Sequence, residues 1–254
     1  MNDNIRIENQ DFEYSKDSNI GCYIIHGFSS STYETKELAA YLGGKNIHTI
    51  TRNLPGHGTS PEECNRVKYE NWLNFIEQDL AVLSNKSTKI IVIGMSMGGV
   101  LALHLASLFP IECVISAAAV FRFKDHKKLK YLNSFLCHFF PLRPKIKSYP
   151  KSINKKLIFH GYNQYPMIAL NEFRKMTYIV KKELIKIKCP LLILHANKDM
   201  SCGAFNINII KKNVKSEIKE VKYYNNASHN IFIKSKDQKV IFHDIYSFIK
   251  KNVL

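Results

Sequence analysis

Ser96 stands in the run Gly94-Met95-Ser96-Met97-Gly98, a Gly-x-Ser-x-Gly spacing. Flanking glycines let two chain segments approach where a Cβ would collide, so a serine between them can sit in a tight turn with its hydroxyl projecting. An apolar run from Lys89 to Gly94 precedes the motif and a helical pattern from Met97 to Leu108 follows it. The serine is therefore expected at a strand-to-helix junction, the setting of a nucleophile elbow. A serine hydroxyl is a poor nucleophile at neutral pH, so this chemistry also needs a histidine base and a carboxylate that orients it.

In a strand-turn-helix site of this kind the chain order is serine, acid, histidine. Of the ten histidines, His229 is best placed, in the loop Ala227-Ser228-His229-Asn230 between the last strand pattern and the final helix pattern. His243 falls inside a helical pattern and His195 ends a strand. For the acid, Asp199 follows the strand Leu191 to His195 after the short turn Ala196-Asn197-Lys198. Asp237 and Asp244 come after His229, against the required order. Acyl transfer also needs backbone donors aimed at a developing oxyanion. The amide of Met97, next after the serine, is one candidate. Phe28 is the other, in the loop His26-Gly27-Phe28 after an early strand, where Gly27 lets the backbone come close.

These residues must be carried by regular elements. Strand patterns cover Ile20 to His26, His48 to Asn53, Lys89 to Gly94, Val114 to Ala118, Leu191 to His195 and Ile218 to Tyr224. Ile90-Ile91-Val92-Ile93 and Leu191-Leu192-Ile193-Leu194 are apolar at every position, as in parallel strands buried on both faces. Helical periodicity covers Thr35 to Leu42, Tyr69 to Leu83, Met97 to Leu108, Phe205 to Lys212 and Gln238 to Lys250. The alternation implies an α/β fold, with a mostly parallel central sheet and helices on both faces. It is interrupted between about Phe121 and Lys188, where Pro141, Pro144 and Pro150 and helical pieces near Lys127 to Phe140 and Tyr165 to Lys182 carry little strand signal. That stretch is expected to be a small, mainly helical cap. Residues 121–188 would form the cap; 1–120 and 189–254 would form the core.

With these features located, the chain resembles the α/β-hydrolase family, and within it the small bacterial carboxylesterases and monoacylglycerol lipases. His26-Gly27-Phe28 is similar to that family's HGF oxyanion loop, Leu54-Pro55-Gly56-His57-Gly58 to its PGHG loop, and Gly94 to Gly99 to its GxSMGG elbow. Tyr165-Pro166, the following helix, Pro190 and the strand leading to Asp199 resemble that subgroup's cap and its return to the sheet. The resemblance covers nearly the whole chain. It implies a serine esterase with Ser96, Asp199 and His229 as catalytic triad and the amides of Phe28 and Met97 as oxyanion hole. It also implies Gly27, Met167 and Ile168 at the substrate, a structural role for His57, and no metal or organic cofactor. The basic, aromatic start of the cap, Phe121 to Ser152, reads either as an amphipathic lid, with Leu132, Leu136 and Phe139 facing inward and its lysines outward, or as ordinary cap core.

Composition narrows the classes further. Apolar residues at 45% and charged residues at 23% suit a chain that buries a sizeable core. The six cysteines show no CxxC pair or metal spacing, so reduced, mostly buried thiols are expected. The net charge of +16 is spread over lysine pairs such as Lys127-Lys128, Lys155-Lys156 and Lys211-Lys212. A nucleic-acid binder would concentrate it, so nucleic acid is not expected. Weak association with anionic membrane surfaces is the partner this charge allows besides a small ester or monoacylglycerol substrate. With no leader-like apolar N-terminal run, the cytoplasm is the expected location. An acyl thioesterase on the same triad and a non-catalytic hydrolase-like binding protein are the rival readings. Acyl chain length and oligomeric state are left open.

Overall fold

Buried β-branched runs make the centre of the molecule a twisted seven-stranded sheet. The computed structural model describes residues 9–124, 127–145, 161–233 and 235–254. The lysine pair Lys155-Lys156, Pro150 and the end of the basic stretch near Ser152 lie outside the described residues. The sheet order is β1 (Phe12–Tyr14), β3 (His48–Thr51), β2 (Ile20–Ile25), β4 (Lys89–Met95), β5 (Cys113–Ala117), β8 (Leu191–Ala196) and β9 (Lys219–Tyr224). All neighbours are parallel except β1, which pairs antiparallel with β3.

Alternate residues of each strand enter different cores, as the two-residue repeat requires. Tyr23, Val92, Val114 and Ile193 face a core shared with α3 (Tyr69–Ser84), α4 (Met97–Leu108) and α7 (Phe205–Asn213). Cys22, Ile91, Ile115 and Leu192 face the other core, against α1 (Lys36–Gly43) and α8 (Gln238–Asn252). The predicted strands and helices match these elements to within one or two residues at most ends. The fold is that of an α/β hydrolase. β1, three residues long, and α2 (Pro61–Asn65) are too short to leave a pattern.

Between β5 and β8 the chain forms a helical stretch over Lys128–Asn133 with wide π-type winding, running on as α5 (Ser134–Leu136). It then forms β6 (Leu142–Pro144), β7 (Gln164–Pro166) and α6 (Met167–Glu183). β6 and β7 pair antiparallel, a two-stranded sheet that the proline-rich sequence there did not suggest. Asn65 fastens this segment to the core. Its Oδ1 accepts from the N–H groups of Ile168 and Ala169 at 3.0 and 3.1 Å, and its Nδ2 donates to Pro141 O at 2.7 Å. The first amides of α6, which have no partner within the helix, are thus satisfied by a side chain from another element.

A second attachment is ionic. Buried His104 on α4 donates from Nδ1 to Glu183 of α6 at 2.7 Å and from Nε2 to Glu77 of α3 at 3.0 Å. Burial on its own would lower its pKa, but the bonds and charges of Glu183 and Glu77 outweigh that and raise it. A raised histidine pKa stabilises the fold fully below the unfolded value of about 6.5, and the contribution is lost as pH rises through the folded value. The thermal midpoint of His104→Gln should therefore fall below wild type by a few degrees at pH 6. The gap should narrow towards pH 9 when both are followed by circular dichroism.

Candidate active site

The elbow forms because two glycines leave no room for side chains. A Cβ on Gly94 would lie 1.9 Å from Gly98 O, and one on Gly98 would lie 2.1 Å from Ile25 O. β4 can therefore turn straight into α4, which is buried on all sides from Met97 to Ala106. Ser96 sits between them at φ 56°, ψ −113°, a left-handed conformation that costs on the order of 1–3 kcal/mol for a residue with a Cβ. The hydrogen bond from Ser96 N to Ala117 O at 2.8 Å holds it there.

The ends of β8 and β9 bring the other two residues to the same edge of the sheet. Asp199 follows β8 in a turn closed by its own N–H to Ala196 O. Its Oδ1 accepts from the amides of Ser201 and Cys202 at 2.7 and 2.8 Å, which fixes the carboxylate plane. Its Oδ2 accepts from His229 Nδ1 at 2.7 Å, and His229 Nε2 lies 2.9 Å from Ser96 Oγ. A carboxylate can only accept, so Nδ1 carries the proton and Nε2 accepts from the serine hydroxyl. The Asp199 side chain is 0% exposed. Burial pushes its pKa up, but the bond and charge of His229 and the two amides outweigh that and hold it below the usual carboxylate value.

Phe28 and Met97 flank the serine. Met97 is the first residue of α4, so its amide has no partner within the helix. The His26–Phe28 loop is fixed from both sides. His26 accepts from Leu54 N at Nε2 and donates from Nδ1 to Gly27 O at 2.8 Å. Burial lowers its pKa to about 4 and keeps it neutral. Gly27 N donates to buried Glu34 Oε2 at 2.9 Å, and burial raises the Glu34 pKa in spite of that bond. His57 lies away from the serine, packed against His26, Phe28, Trp72 and Tyr162, with Nδ1 donating to Pro55 O at 3.2 Å.

A cavity of about 980 Å³ opens over Ser96 and His229. Met167 lines it, and Gly27 adjoins the serine, since a Cβ there would lie 3.3 Å from Ser96 Cβ. Ile168 is not among the lining residues; Leu170 and Phe173, on the same helical face as Met167, are. The three-residue helical spacing could have pointed to them. Of the expected lid residues, Leu132 and Leu136 line the cavity. Phe139 instead stands out into solvent beside Phe135, because the chain leaves α5 in a turn before β6. Glu34 and Lys145 also line the cavity, and no motif marked either in the sequence.

All six cysteines are free thiols. The ligand atoms of His195, Asp199 and Cys202 lie within 4.8 Å of one another. Both oxygens of Asp199 are already engaged by His229 and the two amides, and burial pushes the Cys202 thiol up to about 12. The group is poorly prepared for a metal ion.

The sequence profile of the Hydrolase_4 family, described as serine aminopeptidase S33, matches residues 19–236. The chain belongs to this family. It is a serine hydrolase. It is 24% identical over 230 residues to a carboxylesterase of Bacillus subtilis (strain 168), covering 90% of this chain and 91% of that one. It is 26% identical over 248 residues to a thermostable monoacylglycerol lipase of Bacillus sp. (strain H-257), covering 94% of each. Among solved structures, one from work on the metagenome-derived lipolytic enzymes LipS and LipT superposes with a TM-score of 0.86 at 24% identity, covering 96% of this chain and 98% of that one. The monoacylglycerol lipase of Paleococcus ferrophilus superposes at 0.77 and 16% identity, covering 96% and 99%.

The two elbow glycines make a sharp prediction. Gly98→Ala should lower the urea midpoint by the equivalent of roughly 1–3 kcal/mol, the usual cost of overpacking. It should also remove most activity, because the helix start and Met97 amide must shift. Ala106→Gly, at the other end of the same helix, should lower stability without moving the serine.

Proposed function

We propose that this protein is a serine-dependent carboxylic ester hydrolase acting through an acyl-enzyme on Ser96, with residues 121–188 as the cap over its site. The observation that carries this reading is the continuous Asp199–His229–Ser96 hydrogen-bond chain, at 2.7 and 2.9 Å, opening into a cavity walled by Leu132, Leu136, Met167, Leu170 and Phe173. The names of the two Bacillus relatives support an ester, of short to medium acyl chain or a monoacylglycerol.

In the proposed mechanism Ser96 Oγ attacks the ester carbonyl while His229 Nε2 takes its proton. Asp199 accepts from Nδ1 and stabilises the imidazolium. The amides of Phe28 and Met97 donate to the carbonyl oxygen as it becomes an oxyanion. The intermediate collapses, His229 protonates the departing alkoxide, and the acyl group stays on Ser96. Water then gives its proton to His229 and attacks the acyl carbon; that intermediate collapses, His229 returns the proton to Ser96 Oγ, and the acid leaves.

The family description names aminopeptidases, whose substrates present a free amino group. The single acid among the described lining residues is Glu34, and it is bound to Gly27 N, while Lys124, Arg143 and Lys145 line the same cavity. That balance disfavours a cationic N-terminus and supports an acyl ester.

The outer face of the cap supports a second contact. Tyr131, Leu132, Phe135, Phe139 and Phe140 are between 56% and 69% exposed, and Leu132 and Phe140 also line the cavity. Aromatic surface at a cavity mouth on a chain of net charge +16 suits the interface of an anionic membrane.

Release of p-nitrophenol from p-nitrophenyl acetate through decanoate tests the chemistry, with monoacylglycerols and an acyl thioester in the same panel. Ser96→Ala and His229→Ala should lose about 10⁴-fold or more in kcat, and Asp199→Asn a similar amount by leaving the wrong tautomer. Wild type no faster than Ser96→Ala on every ester would reject the reading; thioesters strongly preferred would reassign it to a thioesterase.

For the second contact, sedimentation at low salt should carry the protein down with anionic and not with neutral liposomes. Phe135→Ser/Phe139→Ser should reduce that binding; equal, negligible binding to both liposomes would remove the membrane.

A further inference from the structure

The cavity wall is uneven in charge. Met167, Leu170 and Phe173 form an apolar side, whereas β6 and the residue after it deliver Arg143 and Lys145 to the same cavity. Residues two apart on extended chain share a face, so the two cations are delivered together. Lys145 reaches inward. Its Nζ donates to Ser29 Oγ at 2.8 Å, next in the chain after Phe28, and stands 4.9 Å from the centre of the Tyr165 ring.

Holding an ammonium there works against its hydration. Burial lowers the Lys145 pKa to about 8, although the Glu34 carboxylate pulls in the other direction. Glu34 compensates weakly, because its own burial shifts it towards the neutral acid and one of its oxygens already accepts from Gly27 N. The described lining residues thus carry three cations against this one acid. A neutral acyl chain would meet the apolar wall and gain nothing from the cations. A substrate with its own anionic oxygens would add charge-assisted hydrogen bonds to them, bidentate at Arg143.

We propose that the substrates of this site are esters bearing a second, anionic oxygen group, a carboxylate or a phosphate, held by Lys145 and Arg143 while Ser96 attacks the ester. The inference rests on the ester-hydrolase reading and names the substrate class within it. The apolar wall then takes the hydrocarbon part, and the basic strand reads the charged end.

Two matched pairs test it by kcat/KM at low ionic strength. p-Nitrophenyl hemiadipate against p-nitrophenyl hexanoate places a carboxylate on the acyl side. A 1-acylglycerol 3-phosphate against the 1-monoacylglycerol of the same chain places a phosphate on the alcohol side. The anionic member of at least one pair should be preferred about 10- to 100-fold, the range of one or two charge-assisted bonds. The favoured pair tells which side of the ester faces the cations. In Lys145→Met and in Arg143→Met that ratio should fall about tenfold, and in Lys145→Arg it should largely survive. Neutral esters turned over as fast as the anionic partners in both pairs would overturn this proposal and leave ester hydrolysis standing. Turnover of no ester above the Ser96→Ala level would overturn the ester reading itself.

Discussion

Everything at the candidate site depends on the closeness of β4, α4 and the end of β2. The backbone of Gly98 lies so near Ile25 O, and that of Gly94 so near Gly98 O, that neither position can carry a Cβ. This contact does two jobs. It turns the chain sharply enough to lift Ser96 out of the sheet, and it draws the His26–Phe28 loop against the start of α4. Two segments far apart in sequence, the loop after β2 and the start of α4, therefore meet beside Ser96. The unfavourable φ of Ser96 is tolerated because α4 is buried on every side and cannot tilt to relieve it.

Parallel strand order explains why the remaining parts arrive at the same edge. β2, β4, β5, β8 and β9 are neighbours running in one direction, so the loops leaving β2, β4, β8 and β9 all emerge at their C-terminal ends. Asp199 and His229 need only short turns to reach Ser96. The segment between β5 and β8 leaves the sheet at that same edge, and Asn65 and His104 pin it to the core. Its attachment is polar and ionic at those points and apolar along α6, so one cavity wall is α6 and another is the β6–β7 pair.

The sheet was legible because strands buried on both faces are apolar without interruption, and Ile90 to Ile93 permits little else. Ser96, Asp199 and His229 were legible as candidates because each sits at a fixed offset from such a strand. Glu34 was not. It occupies no motif, and its proximity to Gly27 depends on the short helical turn Thr32–Glu34 folding back beneath the loop. Lys145 was hidden among many lysines, since only the pairing of β6 with β7 separates it from a solvated one. Phe139 was misjudged because a helical face was extrapolated through residues where the helix has already ended. Patterns report burial within an element; they do not report where the next element turns.

The two buried acids near Ser96 show how the same group is set to different states. Asp199 accepts from His229 and two amides, and these outweigh its burial, so it stays ionised beside a ring that becomes positive during proton transfer. At Glu34 burial outweighs the bond from Gly27 N and the neighbouring charges of His229 and Lys145, and its pKa is raised. That difference suits their positions. Glu34 stands under the His26–Phe28 loop, whereas Asp199 stands beyond His229, where its charge favours a protonated ring. Lys145, close enough to Glu34 for their charges to be felt, offsets whatever negative charge Glu34 retains.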